Sequence, residues 1–246
     1  ETNTTVLLKR GLSATVEENL HLAIKAVRTS VFTDGEGGRI SKKLFITEAS
    51  LAGKLVHPHI VQIYDAVADT DPSYIVMEYV PGGTLEPFTK PDELLPVSDV
   101  VEMIFKCSRA LDFAYRLGVI HRDLKPANIL RGSEARTGTD VKISDFGAAL
   151  TVSSDQTQVS GIGSPAYMSP QQLTEAPLNH QTDIFSLGVV FYQLLTGHLP
   201  FQGSNNFSLV YQILNTQPQP PLQVRPDLPA CLDAIVMKAL EKDLEK

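Results

Sequence analysis

Short apolar runs alternate with a helical pattern in the first third of the chain. Residues 22–27, 60–66 and 74–80 predict three strands, and the last two are rich in β-branched and aromatic side chains. Residues 40–56 predict a helix between the first two strands. We expect that helix to end before Pro58, because a residue that precedes a proline avoids the helical region.

The rest of the chain follows the spacing of buried helices. Residues 97–117 carry apolar side chains on one helical stripe. The members of the stripe are Val100, Ile104, Cys107, Leu111 and Ala114. Ser98 is placed to cap the start of this helix, and Gly118 is placed to end it in the left-handed conformation. Further helices are predicted at residues 182–195, 207–215 and 229–241.

A Pro-Gly-Gly break at residues 81–83 separates the two patterns. A strand-rich part with one helix lies before it and a mainly helical part lies after it. This order predicts an α+β fold with two lobes, formed by residues 1–80 and residues 81–246. Ligand sites favour the interface between such lobes, so the cleft is the expected functional site.

The composition narrows the class of protein. The 246 residues are 43% hydrophobic and 20% charged, which excludes intrinsic disorder and a collagen-like repeat. Lysine and arginine number 21 against 28 aspartate and glutamate residues, so the net charge is −7. No nucleic acid is expected as a partner, because a phosphate backbone attracts proteins with a broad basic face.

Cysteines and apolar segments bear on the cellular location. Cys107 and Cys231 are far apart, which argues against a disulfide framework or a zinc site and fits a reducing cytosol. The longest apolar stretch, residues 184–195, is shorter than the ~20 residues of a membrane span, and no signal peptide is recognised. The expected location is the cytoplasm, with the cytosolic domain of a larger or membrane-anchored protein as the alternative.

The residues with the most specific chemistry lie in two motifs of the second part. His-Arg-Asp-Leu-Lys-Pro-Ala-Asn occupies residues 121–128, and Asp-Phe-Gly occupies residues 145–147. Ala-Ile-Lys at residues 23–25 and Glu48 in the predicted helix precede them. Phosphoryl transfer needs a carboxylate to orient a hydroxyl, hard oxygen ligands for Mg²⁺, and a cation to hold the phosphates.

In this order the motifs resemble those of the eukaryotic-like protein kinases, and most closely those of the bacterial Ser/Thr kinases. The resemblance covers residues 22–242 and includes Met-Glu-Tyr-Val at residues 77–80 and Asp-Ile-Phe-Ser-Leu-Gly at residues 183–188. It implies the bilobal kinase fold, with a small strand-rich N-lobe and a larger helical C-lobe. ATP and Mg²⁺ are the implied cofactors, with Mn²⁺ as the alternative ion. Proteins with Ser or Thr hydroxyls are the implied substrates, and pairing of two copies through the strand-rich lobe is the implied assembly.

The resemblance gives each motif residue an expected role. Asp123 is the expected catalytic base, and Lys125 is expected to contact the γ-phosphate. Lys25 is expected to bind the α- and β-phosphates and to pair with Glu48, against the alternative of an ordinary surface ion pair. The other binding residues are Asn128 and Asp145 for the metal, and Ala23, Met77, Glu78, Val80 and Leu130 for the adenine.

Other motif residues are expected to support the site without reacting. His121 is expected to pack and to form hydrogen bonds, and Phe146 and Gly147 are expected to be structural. Asp183 is expected to hold the backbone of the His-Arg-Asp turn, against the alternative of a partner for the helix dipole.

The resemblance also implies regulation through an activation segment at residues 145–171. Arg122 implies a phosphate on that segment. Thr157 lies nearest the position that bacterial relatives phosphorylate, Ser160 comes second, and Ser164 is assigned to substrate positioning. The alternative is that these hydroxyls belong only to a polar loop.

Three features depart from the family. No glycine-rich phosphate loop is recognisable, and about eight residues of that motif are missing between Gly11 and Leu12. Either the sequence as given skips the loop or the protein lacks it. Gln171 stands where the family has a glutamate that pairs with an arginine near the end of the domain. Residues 131–140 are longer than usual and predict a β-hairpin.

The motifs leave three functions to compare. A Ser/Thr protein kinase that also phosphorylates its own activation segment is favoured, because Lys25, Glu48, Asp123, Asn128 and Asp145 are all present. A catalytically impaired pseudokinase that acts as a binding scaffold is the alternative, supported by the missing loop and the neutral glutamine. A small-molecule kinase is disfavoured by the recognisable substrate segment at residues 163–170.

Overall fold

A four-stranded antiparallel sheet carries the Ala-Ile-Lys motif. The computed structural model describes residues 8–9, 21–28, 32, 36–68, 70–133, 138–151 and 165–243. The sheet contains β1 (Leu8–Lys9), β2 (His21–Val27), β3 (Ile63–Val67) and β4 (Ser73–Glu78), in the order β1-β2-β4-β3. The predicted strands at residues 22–27 and 74–80 are confirmed, although β4 ends before residue 80. The two central strands, β2 and β4, place the motif in the middle of the sheet.

Helix α1 (Glu36–Ser50) contacts β3 and the Asp-Phe-Gly segment. The prediction of a helix at residues 40–56 is wrong at both ends. Residues 51–54 form a turn instead, in which Gly53 adopts φ +71, a region that favours glycine. Leu51 and Leu55 are buried although they follow the last residue of α1. Their apolar spacing continues the helical pattern, which is why the predicted helix is too long.

Six α-helices form most of the second part of the described chain. They are α2 (Val97–Arg116), α3 (Pro170–Leu173), α4 (His180–Thr196), α5 (Asn206–Asn215), α6 (Pro221–Val224) and α7 (Ala230–Ala239). The four helices predicted for this part are confirmed, each end within two residues. Helix α4 packs against α2 and α7, so it lies at the centre of this part.

The ends of these helices follow the sequence with one exception. Gly118 and Gly197 adopt φ +75 and +76 after α2 and α4, as the left-handed end of a helix requires. The prediction that Ser98 caps α2 is wrong, because Pro96 occupies the cap position and no side chain caps it. Ser98 lies within the first turn, where its hydroxyl donates to Asp99 Oδ1 at 3.1 Å.

Four short strands complete the fold. They are β5 (Val119–Ile120), β6 (Ile129–Arg131), β7 (Val141–Ile143) and β8 (Leu150–Thr151), paired as β5 with β8 and β6 with β7. The paired strands β6 and β7 flank the hairpin predicted at residues 131–140 and share only Arg131 with it. No strand is present among the described residues 132–133 and 138–140, and residues 134–137 lie outside the description. The predicted strand at residues 60–66 is shorter than expected, because Ile60 forms a bridge with Ile143 and β3 begins at Ile63.

One hydrophobic core runs through the helical part and reaches Leu51 and Leu55. Cys107 on α2 is fully buried in it, and burial raises the pKa of its thiol to about 12. Cys231 is exposed. None of the described helices has both the length and the apolar character of a membrane span.

We expect only one of these two cysteines to react with a thiol reagent at pH 8 in the native protein. The reactive species is the thiolate, which the burial of Cys107 suppresses, so Cys231 should account for the signal. A chromogenic disulfide reagent measures the number of reactive thiols, and both should react after denaturation. Cys231→Ser is the control and should remove the native signal; two reactive thiols in the native protein would contradict the burial of Cys107.

Candidate active site

The strand register places Ala23, Lys25 and Met77 on one face of the sheet. Ala23 lies opposite Met77, and Lys25 lies opposite Ile75. Directly opposed residues, and residues two apart on one strand, point to the same face. Ile75 is fully buried, so this face looks into the molecule. Ala23 and Met77 therefore lie beside Lys25 on the inner face.

Lys25 links the sheet to helix α1 and to the Asp-Phe-Gly motif. Its ammonium group donates a hydrogen bond of 2.9 Å to Glu48 Oε2 and another of 2.5 Å to Asp145 Oδ1. Glu48 is only 3% exposed, which does not fit the alternative of an ordinary surface pair. The lysine thus joins three separate segments of the chain at one point.

These contacts shift the protonation equilibria of Lys25 and Asp145. Burial alone would lower the pKa of Lys25, but Glu48 and Asp145 outweigh it and raise that pKa. Burial alone would raise the pKa of Asp145, but the adjacent Lys25 lowers it. Both groups are therefore charged at neutral pH, as the binding of phosphates and of a cation requires.

His121 connects the catalytic loop, residues 121–128, with the Asp-Phe-Gly motif. Its ring is fully buried and stands edge-on to the ring of Phe146, with the centroids 4.5 Å apart. Its Nε2 lies 2.9 Å from Ser144 O, and its Nδ1 accepts a hydrogen bond of 3.2 Å from Asp123 N. Gly147 follows Phe146 and lies against Glu48 on α1. These contacts are packing and backbone contacts, in keeping with a structural role.

Lys125 and Asn128 orient the carboxylate of Asp123. Lys125 Nζ lies 2.9 Å from Asp123 Oδ2, and Asn128 Nδ2 donates to the same oxygen at 3.2 Å. Asn128 Nδ2 also donates to Asp123 O at 2.8 Å. The Asp123 side chain is 18% exposed, so its carboxylate is held by neighbours and still accessible to a substrate hydroxyl.

Asp183 fixes the backbone of the catalytic loop from the first turn of α4. Its Oδ2 accepts a hydrogen bond of 2.8 Å from His121 N, and its Oδ1 accepts one of 2.9 Å from Arg122 N. Arg122 has φ +72, a strained conformation for a side chain of this size. A third bond, from Gln172 Nε2 to Arg122 O at 2.8 Å, helps to hold it. Asp183 is buried, so it does more than complement a helix dipole in solvent.

The chain that connects the two parts runs along strand β6. Gly82 N donates to Arg131 O at 2.9 Å, and Arg131 N donates to Gly83 O at 2.8 Å. A Cβ on Gly82 would collide with the Ser133 carbonyl, so this close approach requires glycine. Leu130, which is predicted to sandwich the adenine together with Ala23, is half-buried next to Arg131. It therefore lies beside the connecting segment that contains Val80.

Asn128 and Asp145 offer oxygen ligands suited to magnesium. Their segments are joined because Ser144 N donates to Asn128 O at 2.9 Å. The bonds from Asn128 Nδ2 to Asp123 leave the amide oxygen to bind a cation, and the Asp145 side chain is 47% exposed. Mg²⁺ commonly takes one or two carboxylates and fills its remaining positions with water and phosphate oxygens. Among the described residues, no group of three His, Cys, Asp or Glu side chains is placed to hold a metal ion.

Several predicted positions lie outside the residues that the structure describes. They are Thr157, Ser160, Ser164 and the junction of Gly11 with Leu12. Gln171 is described: it is 7% exposed on α3, and its Oε1 accepts no hydrogen bond from the described part of the chain.

Sequence reasoning missed two residues that brace the site. Gln172 forms a capping box with Ser169 at the start of α3, and the Ser-x-x-Gln pattern could have revealed it. Lys142 lies 3.1 Å from Glu78 Oε2, an ion pair between β7 and the last residue of β4. In the sequence, Lys142 is a polar residue between two apolar ones. This alternation predicts a strand but does not show which residue Lys142 contacts.

Comparisons with known proteins agree with this geometry. The model of the protein kinase domain family matches residues 11–246. Serine/threonine-protein kinase PknB of Mycobacterium leprae is 39% identical over 208 residues, which cover 82% of this chain and 33% of the relative. A probable serine/threonine-protein kinase of Clostridium acetobutylicum is 33% identical over 230 residues, which cover 92% of this chain and 34% of the relative. The chain thus spans about a third of the length of these relatives. The family match over nearly all of the sequence shows that the chain belongs to the protein kinase domain family, with its α+β bilobal fold.

Proposed function

We propose that this chain is a Ser/Thr protein kinase domain, which transfers the γ-phosphoryl group of Mg-ATP to hydroxyls of protein substrates. The observation that carries the proposal is the hydrogen-bonded group of Lys25, Glu48 and Asp145, next to the catalytic loop with Asp123. The relatives named as serine/threonine-protein kinases support Ser and Thr as acceptors.

The proposed chemistry begins at Asp123, which orients the substrate hydroxyl and accepts its proton. The hydroxyl oxygen forms a bond to the γ-phosphorus. The bond between that phosphorus and the β–γ bridging oxygen breaks, and ADP leaves with its electron pair. Lys125, 2.9 Å from Asp123, offsets the charge on the transferred group.

The binding roles follow the placement of the remaining residues. Asn128 and Asp145 would hold Mg²⁺, or Mn²⁺, which supplies positive charge to the phosphates when bound. Lys25 would bind the α- and β-phosphates while Glu48 holds it in place. The adenine would be enclosed by Ala23, Met77 and Leu130 and bonded by the backbone of Glu78 and Val80.

The wider assignments are proposals of the same kind. Residues 1–80 form the N-lobe and residues 81–246 the C-lobe of one catalytic domain. The activation segment with Thr157, Ser160 and Ser164 is a substrate of the domain itself. Pairing of two copies through the strand-rich lobe and a cytoplasmic location remain predictions.

The first test is the intact mass of the purified protein before and after incubation with Mg-ATP. We expect the wild-type chain to gain phosphate, in steps of about 80 Da, and the Asp123→Asn variant to gain none. Peptide mapping then locates the modified residues and shows whether a loop lies between Gly11 and Leu12. An equal gain of phosphate in the two proteins would contradict the assignment of Asp123.

The scaffold alternative makes the opposite prediction. A protein that gains no phosphate, modifies no generic protein substrate and binds no ATP would be a scaffold. The complete set of catalytic side chains argues against this result, because a scaffold has no physical need to keep all of them.

Asp145→Asn should abolish the gain in ATP affinity that Mg²⁺ provides. The neutral amide loses the charge that attracts the ion, so we expect the affinity for Mg-ATP to fall roughly ten- to hundredfold. Isothermal titration calorimetry with and without Mg²⁺ measures this change. Asp140→Asn makes the same chemical change on an exposed aspartate away from Lys25 and should leave the affinity unaltered. An unchanged affinity in Asp145→Asn would refute the assignment.

A further inference from the structure

An ion pair ties the last residue of β4 to strand β7. Lys142 Nζ lies 3.1 Å from Glu78 Oε2, and the two side chains are 17% and 26% exposed. Glu78 Oε2 also accepts a hydrogen bond of 3.3 Å from Gln62 N, and Glu78 N donates to Gln62 O at 2.8 Å. A partly buried pair is screened less by solvent than a surface pair. Glu78 is therefore held by its side chain and its backbone together.

Lys142 belongs to a strand that is fixed along both edges. On one edge it is paired with Leu130 of β6. On the other edge Ile143 N donates to His59 O, and Val61 N donates to Ile143 O, each at 2.9 Å. The backbone that carries Lys142 thus has little freedom to follow a movement of Glu78.

The connecting segment has a second attachment to the same hairpin. Beyond Val80, Gly82 donates its backbone N–H to Arg131 O on β6 at 2.9 Å. The segment from residue 78 to residue 82 is therefore anchored at its start by Lys142 and at its end by Arg131. The backbone groups proposed to bond the adenine lie between these two anchors.

We infer that Lys142 is a positioning residue for the nucleotide base. Its ion pair with Glu78 holds the backbone of residues 78–80 in the conformation that bonds the adenine. Lys142 acts through Glu78 and needs no contact with the nucleotide. The inference rests on the proposed function, and it predicts an effect on nucleotide affinity without an effect on the chemical step.

The test measures adenosine and ATP binding by the Lys142→Met variant. We expect both dissociation constants to rise about three- to tenfold, the size of effect expected for a partly buried ion pair, with kcat at saturating ATP unchanged. Adenosine has no phosphates, so a loss of its affinity locates the effect at the base. Lys142→Arg keeps the charge and should bind adenosine within about twofold of the wild type.

Two further variants separate positioning from a general loss of stability. Glu78→Gln should weaken adenosine binding as much as Lys142→Met does, and the double variant should be no weaker than either, because both changes remove one interaction. Arg116→Met is the control: it removes an ion pair of 3.0 Å with Asp112 on α2, away from the connecting segment and from β7. It should bind adenosine as the wild type does.

The outcomes are distinguishable. Unchanged adenosine affinity in Lys142→Met would overturn the inference. If kcat also rose, the ion pair would be a restraint on motion and not a positioning contact. Additive losses in the double variant would also overturn it. If Lys142→Met fails to fold, Glu78→Gln decides alone. A wild-type protein that neither binds ATP nor transfers phosphate would remove the proposed function itself.

Discussion

Asp123→Asn should slow phosphoryl transfer about 10²–10⁴-fold, the contribution typical of a general base, without unfolding the domain. Asparagine has the shape of aspartate but cannot accept the proton of the substrate hydroxyl. The amide oxygen can still accept the hydrogen bonds that Lys125 and Asn128 donate to Asp123 Oδ2. The loop should therefore keep its conformation while the chemistry fails.

The measurement compares kcat on a generic Ser/Thr protein substrate with the dissociation constant for Mg-ATP. We expect kcat to fall. The dissociation constant should change by less than about threefold, because Asp123 has no proposed role in nucleotide binding. Asp112→Asn makes the same substitution in a surface ion pair with Arg116 and should be fully active. Wild-type turnover in Asp123→Asn would show that another group accepts the proton.

Asp183→Asn should cause the largest loss of stability among single isosteric changes at the site. The two Asp183 oxygens accept hydrogen bonds from two different backbone N–H groups, at His121 and Arg122. Asparagine offers one oxygen and turns an amide N–H₂ toward the other donor. One buried N–H then loses its acceptor, which costs about 1–3 kcal/mol, and Arg122 is released from its strained conformation.

Urea denaturation measures the change in the free energy of unfolding. We also expect kcat to fall, because the loop that carries Asp123 loses the backbone hydrogen bonds that hold it. Asp233→Asn is the matched control. Asp233 accepts a single backbone hydrogen bond, from Leu222 N at 2.9 Å, so one oxygen is sufficient and little stability should be lost. Equal losses in the two variants would contradict the double-acceptor role of Asp183.

The sequence predicts most of the fold, and it identifies the candidate site because the residues with specific chemistry lie in contiguous motifs. The apolar stripe of α2 and the dense apolar run of α4 fix these helices within two residues. Lys25, Glu48 and Asp145 come from three distant segments, and only the resemblance to a known family indicated that they meet. Periodicity alone carries no information about such long-range contacts.

The wrong or missing predictions concern positions where a local sequence pattern is compatible with more than one structure. Leu51 and Leu55 continue the apolar spacing of α1 although the helix ends at Ser50 and the chain turns at residues 51–54. Ser98 is a good capping residue, but the fixed φ of Pro96 takes the cap position first. Lys142 shows no partner in sequence, because its ion pair with Glu78 depends on the docking of β7 beside the connecting segment.

The charge balance of the site couples its two ligands. Lys25 and Lys125 face the carboxylates of Glu48, Asp123 and Asp145, so the formal charges of these five groups sum to −1. A polyphosphate that arrives alone meets this negative field, whereas a divalent cation that arrives alone is attracted by it. Each ligand should therefore raise the affinity for the other by the same factor, as thermodynamic linkage requires. We therefore expect nucleotide without the metal ion to compete poorly with nucleotide that carries it.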